Sequence, residues 1–310
     1  MVAVPGCFDF IALPRRVRTF LFVGANGIRP LRYPTVLTLM CNAIKALSIV
    51  LTEHLKPHLS PRCYHLAGNG GLKGAVREVA AHLPEQKFVF RTDVKGYYAS
   101  INHDILLGLL REYVSDEAVI DLVRQYLQRF VSDGGDYTDI EKGISLGCPL
   151  SPLMGALFLK PLDDRMAELG CIYVRFMDDW CVLAPTRWKL RKAIRATNEV
   201  MEQLLVLKHP DKTAIGRIAK GFEFLGYCFS TEGLQVAKKT VDRMLDKVCR
   251  LQEQGATVER ICDYVRRWVS WAIGSGNLNC RTTQSHLHNL CRSLDPYVYY
   301  PHGPTQFSYR

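Results

Sequence analysis

Apolar residues recur at three- and four-residue intervals from Pro34 to Leu55, the spacing of a helix that lays one face on a core. A glycine-rich turn follows, AGNGGLKGA at 67–75, and helical spacing returns from Gly74 to Leu83 until Pro84 stops it. Residues 87–94, KFVFRTDV, alternate and are rich in β-formers, which predicts a strand. The next helix is DILLGLLREYV, with Asn102 or Asp104 placed to cap it. Residues 131–147 are polar and glycine-rich, a loop or a hairpin, and helical spacing resumes from Leu150 to Leu169. Two short strands, Ile172–Phe176 and Trp180–Ala184, flank a Met-Asp-Asp turn; a helix over Leu190–Leu205 and a strand over Phe222–Ser230 follow. Beyond residue 235 come two amphipathic helices with basic faces, VDRMLDKVCRLQEQ and TVERICDYVRRWVSWAI, which sets a soft boundary near residue 232.

The turn poses an electrostatic problem. Asp178 and Asp179 stand side by side in YVRFMDDWCVLAP, whose flanks are those of a buried sheet. Two carboxylates about 4 Å apart repel by roughly 4 kcal/mol at an effective dielectric near 20. Something compensates them, and a bound divalent cation is the leading candidate. Taken alone, Asp178 reads as an ordinary turn residue. Asp93, however, ends the earlier strand about 85 residues upstream, and neighbouring strands would bring it opposite the pair. Three carboxylates at strand ends form an oxygen-rich site suited to hard cations such as magnesium. Two such ions can activate an attacking hydroxyl and stabilise a leaving oxygen in phosphoryl displacement.

Composition narrows the partners. The 310 residues are 48% hydrophobic and 23% charged, which excludes a disordered chain. The net charge of +10 favours a polyanionic partner, nucleic acid before an anionic membrane. Eleven cysteines without a CxxC pair fit reduced, buried thiols and leave a structural zinc site little support. The N-terminus has no basic segment ahead of an apolar run, and the stretch Val36–Leu51 is interrupted by Asn42 and Lys45. The expected location is therefore cytoplasmic, with no membrane partner.

The ordered segments DVKGYYASI, GISLGCPLSPLMGALFL, YVRFMDDW, HPDKT and GFEFLGY resemble the palm motifs of bacterial reverse transcriptases. That group spans group II intron, retron and diversity-generating enzymes. RPLRYPTV and AGNGGLKGA resemble its fingers, and YVRRWVSWAI its thumb or maturase-like region. The resemblance implies an α+β right-hand polymerase with a ferredoxin-like palm, fingers and a short helical thumb. It divides the chain into an N-terminal segment and fingers over 1–92, a palm over 93–231, and a helical thumb and tail over 232–310. Asp93 and Asp178 would be the main ligands of two Mg2+ ions, or of Mn2+ in their place. The Val94 carbonyl would assist, and Asp179 would be a nearby or occasional ligand. Tyr98 falls at the sugar gate, where a ring favours deoxynucleotides, while Tyr97 reads as strand packing. Lys212 falls where a lysine neutralises the leaving pyrophosphate or donates a proton; a solvated surface lysine is the other reading. Gly143 and Gly147 flank a loop that approaches template and nucleotide, and Pro149 and Pro152 set the helix after it. Arg29 would reach the triphosphate from the fingers, with Arg32 and Lys73 as weaker candidates. Arg266 and Arg267 point away from the apolar stripe Ile261, Val265, Trp268 and Val269, free to meet phosphate.

Three departures stand out. Phe176 replaces the more frequent tyrosine of the turn. TVLTLMCN stands where a basic-acidic-basic triplet is usual. Leu146 stands where many relatives carry glutamine, so it either removes a hydrogen-bonded check on the nascent pair or packs under the loop. The expected activity is RNA-directed DNA synthesis from a DNA or RNA primer with dNTPs on an RNA template, served by a dedicated non-coding RNA or accessory protein. The alternatives are a maturase-like RNA-binding factor, and untemplated or protein-primed synthesis in phage defence.

Overall fold

The computed structural model describes residues 33–128, 130–133, 136–139, 142–145, 147–231 and 233–274. They fall into two compact units, divided between Arg217 and Ile218. The division lies earlier than the boundary near residue 232 drawn from sequence, because a small sheet beginning at Phe222 belongs with the two C-terminal helices.

The first unit opens with helix α1 (Tyr33–Leu55) and, after the glycine-rich turn, α2 (Gly71–His82). Gly70 precedes α2 at φ 92°, a left-handed backbone that a side chain strains. Strand β1 (Phe88–Asp93) runs into a single helical turn, α3 (Tyr97–Ser100). The Asn102 side chain accepts from the Ile105 N–H and starts α4 (His103–Arg111), as the sequence predicts. Helix α5 (Glu117–Leu127) leads to a hairpin of β2 (Phe130–Asp133) and β3 (Asp136–Asp139). The single helix expected over Leu150–Leu169 is two, α6 (Ser151–Phe158) and α7 (Lys160–Glu168). Pro161 has no N–H to continue α6 but fits the first turn of α7. Strand β4 (Ile172–Phe176), the turn, β5 (Asp179–Ala184), helix α8 (Arg187–Gln203) and edge strand β6 (Ala214–Arg217) complete the unit.

The principal sheet has the order β4-β5-β1-β6, with every pair antiparallel. Its middle strands are the deepest: Trp180 to Ala184 are all buried. Helix α8 packs on β1 and β5, and α2 on β4 and β5. The core joins Phe90, Tyr173 and Trp180 of the sheet to Phe158, Leu106 and Leu110 of the helices.

In the second unit β7 (Phe222–Phe224), β8 (Tyr227–Ser230) and β9 (Gly233–Val236) form an antiparallel meander. The one strand expected over Phe222–Ser230 is a hairpin. Leu225 and Gly226 both take positive φ, 49° and 84°, as a tight two-residue turn requires. Helices α9 (Lys238–Glu253) and α10 (Val258–Ile273) follow, joined through Met244, Val248 and Leu251 against Ile261 and Val265. No helix among the described residues is long and apolar enough to cross a membrane.

Candidate active site

The pairing of β1 with β5 puts Asp93 directly across from Asp179. Asp178 sits in the turn between β4 and β5, and its carbonyl accepts from the Val94 N–H at 3.3 Å. Beyond β1 the backbone is zipped to residues 207–209: Lys95 N–H donates to the Leu207 carbonyl and His209 N–H to that of Asp93, both at 2.8 Å. This pairing delivers Lys212, in the short turn Pro210–Lys212, to the carboxylates, where its ammonium donates to Asp93 Oδ2. Four side chains separated by up to 119 positions thus meet at one end of the sheet.

Burial sets the electrostatics. Asp93 is 4% exposed. Oδ1 of Asp93 and Oδ1 of Asp179 are buried without a hydrogen-bond partner, a costly state for a carboxylate. Burial is the main force that lifts the Asp179 carboxyl from 3.8 to about 7; the Arg91 guanidinium opposes the rise, and Asp93 and Asp178 add to it. Asp178 is raised in the same direction, again chiefly by burial. Lys212 is held above the usual lysine range by its hydrogen bond to Asp93. An ammonium on Asp93 and a proton retained by Asp179 near neutral pH therefore relieve the repulsion that the sequence poses.

The donor chemistry fits a hard divalent cation, since two buried carboxylate oxygens lack partners and the candidate ligands are all oxygen. Among the described residues, however, no three His, Cys, Asp or Glu side chains converge into a ready nest. Asp93 gives its other oxygen to Lys212 instead.

Around the carboxylates, Tyr98 is half-buried at the start of α3 and near enough to Asp178 for that carboxylate, after burial, to help lift its phenol to about 12. Tyr97 packs, as expected, but from the helical turn α3 rather than from a strand: it is 4% exposed and its hydroxyl donates to the Gly155 carbonyl. Gly155 lets both rings approach closely, since a Cβ there would lie 3.2 Å from the Tyr97 ring and 3.4 Å from that of Tyr98. Gly143 has φ +95° and would place a Cβ 3.2 Å from the Ala99 carbonyl. Gly147, also at positive φ (79°), is exposed. Lys73 lies in the first turn of α2, half-buried. Arg29, Arg32 and Leu146 lie outside the described residues. In the second unit Arg266 and Arg267 are exposed, but Arg266 is not free, since it pairs with Asp263 at 2.5 Å.

Behind the turn lies a polar network that sequence reasoning missed. Arg175 and Asp163 are fully buried; Arg175 Nε donates to Asp163 Oδ1 at 2.7 Å, and Tyr173 donates to the same oxygen at 2.8 Å. Arg175 Nη1 continues to the Met177 carbonyl at 2.9 Å. An arginine inside the β-rich run YVRF was the available signal, because a buried guanidinium demands a partner. His65 approaches the turn from the other side, and burial lowers its pKa to about 4, with the Arg175 charge pushing the same way.

Comparison with known proteins agrees with this geometry. A telomerase from Candida albicans, solved with a fragment of telomeric RNA, shares the fold with TM-score 0.50 at 12% identity, over 84% of this chain and 51% of that one. The group II intron-encoded protein LtrA of Lactococcus lactis subsp. cremoris is 23% identical over 158 residues, 50% of this chain and 26% of that protein. Protein YkfC of Escherichia coli is 21% identical over 255 residues, 69% of this chain and 66% of its own length. The chain thus spans about a quarter of the intron-encoded relative and about two thirds of the other. Residues 27–229 match the family described as reverse transcriptase (RNA-dependent DNA polymerase), and the chain belongs to that family.

Proposed function

We propose that this chain extends a DNA or RNA primer with deoxynucleotides on an RNA template. The observation that carries the reading is the meeting of Asp93, Asp178 and Asp179 at one sheet end, with two buried carboxylate oxygens left unpartnered. Asp93 and Asp178, helped by the Val94 carbonyl and at times by Asp179, are the residues to hold two Mg2+ ions, or Mn2+. Such ions supply charge neutralisation and an activated hydroxyl in phosphoryl transfer.

The chain's own groups do the rest. Burial keeps water from the Asp93 and Asp179 oxygens, which strengthens every charge interaction there. The β1–β5 register fixes the two carboxylates relative to each other before substrate arrives. Lys212 carries a proton on a flexible stem beside Asp93, so it can swing to a leaving pyrophosphate and neutralise or protonate it. The Tyr98 ring, which packs against Tyr97 and lies beside Gly155, is the group to exclude a ribose 2′-hydroxyl. The net charge of +10 suits a grip on template and primer phosphates.

The test is extension of a labelled primer on an RNA template, on the same sequence as DNA, and without template, each with Mg2+ or Mn2+. The reading expects metal-dependent, templated extension on RNA. Binding of RNA with no extension under any metal would favour the maturase-like alternative, and extension without template would favour untemplated synthesis.

A further inference from the structure

Met177, the first residue of the Met-Asp-Asp turn, has φ 58°, a left-handed backbone that strains a non-glycine residue. Such a conformation persists only where the surroundings over-determine it. Both backbone polar groups of Met177 are held by side chains. Arg175 Nη1 donates to its carbonyl at 2.9 Å, and its N–H donates to His65 Nδ1 at 3.0 Å.

His65 is itself fixed. With Nδ1 accepting from Met177, the ring proton lies on Nε2, which donates to the Pro152 carbonyl at 3.1 Å in the first turn of α6. The Cys63 thiol lies 3.3 Å from the same Nδ1, and the Phe176 ring meets the imidazole edge-on at 6.1 Å. The chain reaches this place by a short parallel bridge, Cys63 to Arg175, made by hydrogen bonds between Tyr64 N–H and the Arg175 carbonyl (2.8 Å) and between Arg175 N–H and the Arg62 carbonyl (3.0 Å). One neutral imidazole therefore connects three stretches far apart in sequence: the segment before the glycine-rich turn, the start of α6, and the turn that carries Asp178.

We infer that His65 is a positioning residue for the catalytic turn: its Nδ1 holds the Met177 amide and so fixes where Asp178 points. It touches no reacting atom. The inference deepens the polymerase reading and rests on it for its kinetic consequence.

Three replacements separate the roles of the two ring nitrogens. His65→Asn places an oxygen close to Nδ1 and keeps the Met177 acceptor. His65→Gln reaches as far as Nε2 and keeps the Pro152 side alone. His65→Phe keeps the ring and neither bond. Misplacing a reacting group by about 1 Å costs on the order of a hundredfold in rate. The expected result is a fall of about ten- to a hundredfold in kcat for Gln and Phe, with KM for deoxynucleotide and affinity for RNA little changed. Asn should stay within about threefold of wild type. Amide hydrogen exchange at Met177, followed in the metal-free protein, should speed up in Gln and Phe and stay protected in Asn. A purely structural histidine would instead leave kcat unmoved in every folded variant, or lower it equally in Asn and Gln; either outcome overturns the inference. Should Phe fail to fold, the Asn and Gln pair still decides. Wild-type protein that extends no primer would sink the polymerase reading alone, because protection of Met177 in wild type and Asn but not in Gln still reports the positioning contact, and equal protection in all three refutes it.

Discussion

Replacing Asp179 with asparagine in metal-free buffer should stabilise the protein, and increasingly so as pH rises. The folded-state pKa of Asp179, about 7, lies above its ordinary value of 3.8. The folded chain therefore keeps this proton more tightly than the unfolded chain. The cost of ionising Asp179 in the fold is absent below pH 3.8, grows as pH rises, and is complete above about 7. That difference corresponds to about 4 kcal/mol at pH 8.5, of which about 1.7 kcal/mol is already present at pH 5. Asparagine mimics the protonated side chain and carries none of this cost. The stability gap between variant and wild type should widen by about 2–3 kcal/mol between pH 5 and pH 8.5. For a cooperative unit of this size that is roughly 5–10 °C in Tm. The assay is thermal or urea unfolding of both proteins in chelator across that range. A gap that stays flat with pH would refute the argument, for it would mean that Asp179 is ionised in the fold at pH 5 already.

Tyr98→Ala should admit ribonucleotides at least tenfold better relative to deoxynucleotides, a difference of about 1.4 kcal/mol, read from paired single-turnover incorporations; unchanged discrimination with activity retained places the sugar gate elsewhere. Arg175→Met should destabilise the first unit by about 3–5 kcal/mol in urea unfolding, because it strands the fully buried Asp163. The double variant Arg175→Met with Asp163→Leu should lose less, and equal losses would show that the pair is not coupled. Arg266→Glu with Arg267→Glu should weaken binding to a primer–template duplex and flatten its dependence on salt; an unchanged salt slope moves the nucleic-acid track off helix α10.

Which carboxylates come together was more legible in the sequence than the boundaries of the elements that carry them. The strands Ile172–Phe176 and Trp180–Ala184 were legible because both are apolar runs around a charged turn, and the structure only moves Asp179 from the turn to the start of the second. The Asn102 cap was legible from a local rule. The break at Leu159 was not, since KPLDDRMAE keeps helical spacing across Pro161. Edge strand β6 was missed because AIGR is short and mostly exposed, with no alternation to read. The hairpin turn at Leu225 was hidden by a leucine where glycine or asparagine is the usual sign of positive φ. Asp93 was expected to face a metal, and Lys212 a pyrophosphate; their contact joins positions 119 apart and depends on the pairing of residues 207–209 with the end of β1, which no local pattern encodes. His65 was invisible for the same reason, as its partners lie 87 and 112 positions away.

The central claim, that the Asp93–Asp178–Asp179 cluster catalyses RNA-templated DNA synthesis, is tested most directly by single-nucleotide incorporation on an RNA template with Mg2+, comparing wild type with Asp178→Asn. The account predicts incorporation by wild type and its loss, by about a thousandfold or more, in a variant that remains folded and still binds the primer–template. Incorporation by Asp178→Asn at near wild-type rate would contradict it.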